Sequence, residues 1–588
     1  MSLLRIVKKF RMILSSHQKM RIFELTVLMV IGGLLETCSV SLMLPFMEAV
    51  MSPEEVMQKP YVQWFCNLLG LQIPQTFLAA TAIVLAALFL FKNVYLLLEF
   101  NVQYHFVYGN MLLMQRRLLN GLLHRPYEFF LKASSGELLR VINEDTTQTF
   151  QLLLTVLNLF TELVVSGMLI LTIFMIAPTV SLIVAFTLLA MFLLINHFIK
   201  PVLQRTGVAH QQAAAGQYRW LLQSIQGIKE VKVMAKEEFF EDNFGKHGTV
   251  FVDTQRKHLI LSLVPRFLIE AISMGAMFLV IGFLIYRGSD LEVIVPMLSV
   301  IAMAAIRLLP SVNRISAAMA SIAYNEPMVD KLIENLKDIS GEETVSLTMD
   351  VSYRDEYLGH GFVPQLTGKL TFSGITYRYP GAEQDVLENV SMELGRGESV
   401  GIVGASGAGK TTAVDIMLGL LRPREGQVLV DGVDIRENLE GWLAQVGYIP
   451  QMIFMLDDSI RANVAFGVPE GDISDEEVWR ALREASLDTF VRGLPEGLDT
   501  QIGERGIRLS GGQRQRIGIA RALYPNPEVL IFDEATSALD NETEAAIMES
   551  INGLHGHKTM VIIAHRLTTI EGCDHVYRVS EGGIVKER

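Results

Sequence analysis

Long apolar runs occupy the first half of the chain, whereas shorter alternating runs occupy the second. About 20 apolar residues in a helix cross about 30 Å of hydrocarbon, and six runs have that length: 25–46, 77–98, 150–176, 180–199, 259–286 and 291–310. The last is the least regular, because it contains Pro296 and Arg307. A single run could be a buried core helix, but six in succession predict a helical membrane domain.

The lysine and arginine distribution predicts the orientation of these spans. The N-terminal tail and the long segments after the second and fourth runs are basic, whereas the segment after the first run has only Lys59 and the last short turn only Arg287. Because basic loops stay in the cytoplasm, both termini are expected there. The long segments read as helices that reverse near 126–137 and 218–230, where they could rest on a soluble domain.

The predicted external segment 49–75 carries aromatic and aliphatic residues at helical spacing. Tyr61, Trp64, Phe65, Leu68 and Leu69 would share one face, which is typical of a short helix lying at the outer membrane interface. A plain loop packed on the spans remains an equal alternative.

Composition supports a membrane half joined to a soluble half. Of 588 residues, 50% are hydrophobic and 19% are charged, which is apolar for a soluble enzyme and polar for an all-membrane protein. The net charge of −13 argues against a nucleic-acid partner. Cys38, Cys66 and Cys573 have no metal-ligand or disulfide spacing. We predict a membrane domain at 1–339, a polar linker at 340–368 and an α/β domain at 369–588.

The α/β half contains a phosphate-binding loop. A short β-rich run is followed by Gly404, Ala405, Ser406, Gly407, Ala408, Gly409, Lys410, Thr411 and Thr412, and then by a helical pattern. This is GxxxxGK[ST] in the strand–loop–helix context that the motif requires. Backbone N–H groups and the helix N-terminus would hold the phosphates. Lys410 would reach the terminal phosphates, and the Thr411 hydroxyl would bind Mg²⁺.

A second apolar strand ends in two acids. Residues 529–532 are followed by Asp533 and Glu534. A carboxylate at a strand end beside a phosphate loop is placed to bind Mg²⁺, so Asp533 is the candidate metal ligand. Glu534 is the candidate that polarises the attacking water.

The stretch between these elements carries a family resemblance. Leu509 and the following Ser510, Gly511, Gly512 and Gln513 match the signature sequence of ATP-binding cassette (ABC) proteins, and the second half resembles that family from end to end. The resemblance places the adenine-stacking aromatic at Tyr379 and the glutamine loop, a catalytic position that also contacts Mg²⁺, at Gln451. It places the D-loop at Asp540 and the switch histidine at His565.

The resemblance also implies a mechanism. The protein is expected to be an ATPase, with ATP and Mg²⁺ bound between the phosphate loop of one copy and residues 510–512 of a second, in a homodimer. Membrane spans fused ahead of the cassette resemble the exporter type, in the bacterial inner membrane.

Four basic residues in or near the spans are candidates for binding substrate. Charges inside a membrane are costly and usually face a cavity, so Lys92, Arg266, Arg307 and Arg314 could bind an anionic group such as pyrophosphate. The alternatives are local: Lys92 could meet Glu99, Arg266 could pair with Glu270, and Arg314 could lie in cytoplasmic water.

The membrane half also resembles a narrower group. Leu-Glu-Thr in the first span, Leu-Pro-Phe at 44–46, Val-Pro-Arg at 264–266 and the stretch 307–314 resemble the bacterial flippase of lipid-linked oligosaccharides used in protein N-glycosylation. That likeness implies an anionic polyprenyl-pyrophosphate substrate. The alternatives are a general lipid or multidrug exporter, a peptide or toxin exporter, and a membrane-anchored regulatory ATPase that transports nothing.

Overall fold

The computed structural model divides into two compact units. It describes residues 2–42, 46, 49–50, 53–59, 62–63, 73–176, 193, 195–286, 291–340, 362, 364–534, 551, 553–564, 570–580 and 582–588. The first unit, here called the helical unit, comprises Met1–His124 and Ala133–Val351. The second, the sheet unit, comprises Arg125–Lys132 and Ser352–Arg588. Most of the predicted linker lies outside the described residues, so the limits at 339 and 368 stay a prediction.

Helices make up the described part of the helical unit. They are α1 (Ser2–Ile13), α2 (Ser16–Ser41), α3 (Pro53–Met57), α4 (Pro74–Leu123), α6 (Ser135–Arg140), α7 (Thr146–Ile176), α8 (Lys200–Gln226), α9 (Ile228–Val233), α10 (Glu237–Tyr286) and α11 (Leu291–Ser340), and α5 (Tyr127–Phe130) belongs to the sheet unit. Wider π-helical turns, Val141–Asp145 and Ile195–Ile199, precede α7 and α8.

Several of these helices are far longer than a bilayer is thick. Helices α4, α10 and α11 each have 50 residues, so each extends for about 75 Å. Within the described residues, Ser16–Ser39, Pro74–Leu123 and Ser135–Met168 are apolar and long enough to cross a membrane. The predicted spans 259–286 and 291–310 are helical, and most of 180–199 lies outside the described residues.

The reversals between long helices occur where they were predicted. The first contains α5, between Leu123 and Ser135, and the second is at Gly227, between α8 and α9. In the external segment, Val56 of α3 packs with Ala49 and Phe77. All five aromatic and aliphatic residues on which the interfacial helix depends, at positions 61–69, lie outside the described residues, so that helix stays a prediction.

Polar contacts hold the helical unit together alongside its apolar clusters. Helix α7 packs against α11, and α8 packs against α10 and α11. The guanidinium of Arg140 donates to both carboxylate oxygens of Asp145 at 2.8 Å, and both side chains are almost fully buried. At Gly207 of α8, an added Cβ would lie 2.1 Å from the carbonyl oxygen of Tyr324 on α11. Only glycine permits this close approach of the two helices.

The sheet unit contains an antiparallel and a mainly parallel sheet. Their strands are β1 (Lys369–Tyr377), β2 (Leu387–Gly395), β3 (Ser399–Gly404), β4 (Glu425–Val430), β5 (Val433–Asp434), β6 (Val446–Ile449), β7 (Val529–Asp533), β8 (Thr559–Ile563), β9 (His575–Ser580) and β10 (Gly583–Lys586). The order is β2-β1-β4-β5 in one sheet and β10-β9-β3-β8-β7-β6 in the other, where only β10 is antiparallel.

Side chains that alternate between the two faces of the parallel sheet form an apolar core on each face. On β7, Val529 and Ile531 pack toward the antiparallel sheet, whereas Leu530 and Phe532 pack toward the helices on the other side. All four are at most 1% exposed. A parallel sheet covered on both faces requires such continuous apolar strands. The helices are α12 (Lys410–Met417), α13 (Leu439–Leu443), α14 (Ile460–Val464), α15 (Asp475–Glu484), α16 (Asp488–Arg492) and α17 (Gly511–Leu523).

Candidate nucleotide site

The phosphate loop connects β3 to α12 at the carboxyl edge of the parallel sheet. Gly409 precedes the helix with φ = 106°, in the left-handed region that favours glycine. The Nζ of Lys410 donates to the carbonyl oxygens of Gly404 and Ala405, each at 3.0 Å. The lysine is 5% exposed, so its ammonium group is held over the loop where phosphate oxygens would bind.

A cleft of about 520 Å³ opens at this loop. The Tyr379 hydroxyl lies 3.1 Å from the hydroxyl of Thr412, which fixes the tyrosine at the margin of the cleft. The cleft is lined by Tyr379, Val386, Ser406, Gly407, Gly409, Lys410, Thr411, Thr412, Gln451 and Glu534. Residues from four separate sequence motifs therefore meet in one concave site.

Asp533 ends β7 next to the loop and is 5% exposed. Burial raises the pKa of Asp533 and the Glu534 carboxylate raises it further, whereas the Tyr448 hydroxyl, which donates at 3.4 Å, and the Lys410 ammonium lower it. On α12, burial and the charge of Asp533 raise the pKa of Asp415 to about 6. A cation near Asp533 would relieve this crowding of carboxylates.

The donors near Asp533 fit Mg²⁺ bound jointly with phosphate. A carboxylate, the Thr411 hydroxyl and the Gln451 amide are all oxygen ligands of the kind that Mg²⁺ prefers. Among the described residues, no group of three His, Cys, Asp or Glu side chains forms a complete metal site. Mg²⁺ usually takes one or two protein ligands together with substrate phosphates.

Glu534 has a strained backbone and a defined partner. Its φ is 50°, which is uncommon for a residue with a side chain and typical of functional positions. Its N–H donates to the carbonyl of Ile563 at 3.1 Å. Its Oε2 accepts a hydrogen bond of 2.7 Å from Nε2 of Gln451, so the two predicted catalytic side chains meet at the mouth of the cleft.

The signature residues lie outside this cleft. Ser510 caps the N-terminus of α17: its hydroxyl accepts from the N–H of Gln513 at 3.2 Å, and the Gln513 side chain accepts from the N–H of Ser510 at 2.8 Å. Ser510 and Gly511 are exposed. A capped helix start with free N–H groups is suited to bind an anion, but none of these residues lines the described cleft.

The remaining predicted site residues are only partly described. Asp540 and His565 lie outside the described residues, as does the side chain of Arg307, so their roles stay predictions. The ammonium of Lys92 lies 5.0 Å from the ring centre of Phe89, and the guanidinium of Arg266 lies 5.8 Å from that of Phe267.

The structure tests the local ion pairs proposed as alternatives for the basic residues. Arg314 forms an ion pair with Glu162 of α7, a partner that helical spacing within one helix does not reveal. In the part of the chain that the structure describes, Lys92 does not pair with Glu99, and Arg266 does not pair with Glu270. No described contact joins any two of the four basic residues.

Sequence reasoning missed part of the surroundings of the phosphate loop. In α5, the Glu128 carboxylate accepts from the Tyr377 hydroxyl at 3.4 Å and from the N–H of Arg422 at 3.3 Å. Burial raises the pKa of Tyr127, and the charge of Asp415 raises it further. The predicted reversal near 126–137 was the available signal, since the expectation was that it would rest on the soluble domain.

Comparisons with known proteins support both halves. Residues 23–304 match the family described as ABC transporter transmembrane region, and residues 387–537 match the family described as ABC transporter. The chain is 31% identical over 478 residues to the leukotoxin translocation ATP-binding protein LktB of Mannheimia glucosida. It is 30% identical over the same length to LktB of Mannheimia haemolytica.

These relatives are longer than this chain. The match covers 80% of the chain but 64% of each relative. A solved structure, that of a bacterial Atm1-family ABC exporter with ATP bound, is similar with a TM-score of 0.76 at 23% identity, over 96% of this chain and 94% of that one. The predicted fold class, a helical membrane domain fused to an α/β ATP-binding domain, is confirmed.

Proposed function

Because this chain belongs to the ABC transporter family and joins the two domains of an exporter half-transporter, we propose that it is an ATP-driven exporter. It hydrolyses ATP and couples that reaction to moving a solute across the membrane. The observation that carries this proposal is the pairing of Gln451 with Glu534 across the cleft that also contains Lys410. This pairing brings a candidate catalytic carboxylate into the same cleft as the phosphate-binding lysine, as ATP hydrolysis requires.

The proposed chemistry assigns a role to each cleft residue. Tyr379 stacks on adenine, and Lys410 with the loop N–H groups binds the phosphates. Mg²⁺, held by Thr411, Asp533 and Gln451, would neutralise phosphate charge during the reaction. Glu534 polarises the attacking water, and its hydrogen bond from Gln451 positions the carboxylate.

The proposed assembly is a homodimer. The exposed start of α17 supports it, because Ser510 and Gly511 have anion-binding geometry but do not reach the cleft of their own chain. A second copy would bring its α17 against the first copy's phosphate loop. Asp540 and His565 would complete each composite site.

We place the protein in the bacterial cytoplasmic membrane with both termini in the cytoplasm. The support is the lysine and arginine distribution, together with the apolar helices of the helical unit.

The substrate class that the observations favour is broad. The names of the leukotoxin translocation proteins indicate that these relatives move a protein toxin, whereas the similar solved structure is of a different exporter group. Because the relatives do not share one substrate, a general exporter is the first candidate. The lipid-linked oligosaccharide is the second candidate, favoured by the four basic residues and by the sequence likeness. The ion pair of Arg314 with Glu162 lowers the charge available to a pyrophosphate.

Transport by the purified protein in proteoliposomes tests the proposal. The assay compares an apolar fluorescent drug with a fluorescent polyprenyl-pyrophosphate oligosaccharide, in the wild type and in Glu534→Gln. We expect ATP-dependent movement of at least one of them, lost in Glu534→Gln. Movement of the oligosaccharide alone, lost in Arg307→Ala while ATPase activity persists, would establish the second candidate. ATPase activity with no movement of either would contradict the exporter.

A further inference from the structure

A second polar cavity lies within the helical unit, between α7, α8, α10 and α11. It has a volume of about 240 Å³, and its polar lining includes Gln148, Gln151, His210, Gln255, His258 and Asn325. None of the side chains that line it is a lysine, arginine, aspartate or glutamate. Long helices that pack together normally turn apolar faces to one another, so a neutral polar interior needs an explanation.

Asn325 forms the buried wall of this cavity and is 7% exposed. Its Nδ2 donates to the hydroxyl of Ser321 at 3.2 Å, but its Oδ1 has no hydrogen-bond partner among the described atoms. A buried acceptor without a donor destabilises the fold, because it has lost its hydrogen bond to water without replacement. The Nδ1 of His258, on the neighbouring α10, is likewise without a partner. The cavity lining therefore contains unpaired polar atoms that a bound ligand could hydrogen-bond.

Two histidine rings lie next to Tyr324 in this cavity. The His258 ring stacks on Tyr324 at 4.0 Å between ring centres, with 13° between the planes, and His210 packs 5.5 Å from the same tyrosine. The Tyr324 hydroxyl donates to Gln255 at 3.4 Å, which leaves the Gln255 N–H groups for another acceptor. The face of Tyr324 that His258 covers is therefore closed to a ligand that binds by stacking.

Charge selects further against ionic ligands. Glu144 lies 3.7 Å from Nε2 of His210, whose Nδ1 is 3.2 Å from the Thr254 hydroxyl, so the buried imidazole is already engaged. An ion in this cavity would lose its hydration without meeting a lining charge of opposite sign. Side-chain amides supply much of the lining, and amides offer both a donor and an acceptor.

We propose that this cavity is a binding site for an uncharged amide of the peptide-backbone type. The N–H of such a ligand satisfies the Oδ1 of Asn325, and its carbonyl accepts from the glutamine amides at the mouth. The volume of about 240 Å³ has room for about eight water molecules, and thus for a short peptide-like ligand in their place. The site lies in the helical unit and uses no residue of the nucleotide cleft, so it stands independently of the proposed export activity.

Protection of an introduced cysteine tests the site. Gln151 is exposed at the mouth, so Gln151→Cys in a Cys38→Ser, Cys66→Ser background reacts with an uncharged maleimide. The probe is N-acetyl-glycyl-glycinamide, added to the full-length protein in nanodiscs without ATP. At about ten times its dissociation constant, the probe should slow labelling about tenfold. Zwitterionic triglycine should not.

Matched variants separate binding in the cavity from other effects. Gln223→Cys, on the exposed part of α8 outside the cavity, should label at the same rate with and without probe. Asn325→Ala and Asn325→Leu should each abolish protection of Gln151→Cys, and an unchanged size-exclusion profile shows that they fold. Lys410→Ala should keep the protection, because the cleft is not involved.

Three results would overturn the proposal. The first is that labelling is not slowed up to the solubility limit of the probe, which would mean that the cavity holds water only. The second is equal slowing of labelling at Gln223→Cys, and the third is protection that persists in both Asn325 variants.

Discussion

The sheet unit and the helical unit place their polar side chains by different means. In the sheet unit, Lys410, Asp533 and Glu534 stand directly at strand or loop ends, so a short stretch of sequence fixes each position. In the helical unit, partners come from separate helices, as in Arg314 with Glu162 and His210 with Glu144. In the sheet unit, short stretches of sequence therefore predict where polar side chains lie, whereas in the helical unit their positions depend on which helix faces meet.

The largest expected effect concerns the nucleotide cleft and tests whether the residues predicted from local motifs act in catalysis. Glu534→Gln should lower the ATPase rate by about 10²–10⁴-fold, because the amide cannot polarise water, while ATP binding persists. Steady-state phosphate release and nucleotide binding measure the two. Glu496→Gln, at an exposed position of the same unit, is the control. A rate within a factor of about two of wild type would remove Glu534 from catalysis.

The next effect concerns charge buried between turns of the helical unit. Arg140→Met should lower the free energy of unfolding by about 3–5 kcal/mol, because it leaves the Asp145 carboxylate buried without its partner. Adding Asp145→Leu should recover much of the loss. Asp253→Asn, which removes an exposed pair with Arg256, should cost no more than about 1 kcal/mol. Equal losses for the buried and the exposed pair would show that burial is not the cause.

Helix contact in the same unit predicts a smaller loss. Gly207→Ala should lower stability by about 1–3 kcal/mol, because the new methyl group meets the Tyr324 carbonyl and moves α8 from α11. Gly245→Ala, on α10 with no atom within 4 Å of the added Cβ, should raise stability by about 0.5–1 kcal/mol. Thermal unfolding in detergent compares them. A stabilised Gly207→Ala would mean that the two helices are farther apart.

The smallest effect separates two aspartates of the sheet unit by pH. The pKa of Asp415 in the folded protein is about 6, above its ordinary value. Ionisation of Asp415 at higher pH therefore lowers the free energy of unfolding, and this loss of stability disappears as pH falls toward 4. Asp415→Asn should therefore raise the unfolding midpoint at pH 8, by about 2 °C after allowance for solvent screening, and leave it unchanged at pH 4.

Asp431 is the opposite control. Burial opposes its ionisation, but backbone N–H groups of Thr367, Lys369 and Gly368 lower its pKa below the ordinary value. Its contribution is present at neutral pH and is lost as pH falls below about 4. Asp431→Asn should thus lower the midpoint at pH 8. Shifts of the same sign for the two variants would refute the assignment of their environments.

Local motifs explain how much of this protein was predictable. The loop ending at Thr411, the strand before Asp533 and the cap at Ser510 are contiguous in sequence, and their geometry follows from strand, turn and helix rules. The contact of Gln451 with Glu534 joins segments far apart; the family resemblance made Gln451 a site residue but did not predict this contact. The Glu162 partner of Arg314 lies on another helix, so neither hydrophobic period nor charge spacing could pair them. The left-handed backbone of Glu534 has no signal in residue type.

Residues 125–132 are synthesised long before the rest of the sheet unit to which they belong. They leave the ribosome long before β1, yet the described hydrogen-bond partners of Glu128, which are Tyr377 and Arg422, belong to the later part of the sheet unit. Chain emerges at about 5–20 residues per second, so this segment waits for many seconds without the surface that receives it. A separately expressed C-terminal half would lack the segment altogether. The compact sheet unit is therefore not a single stretch of the chain.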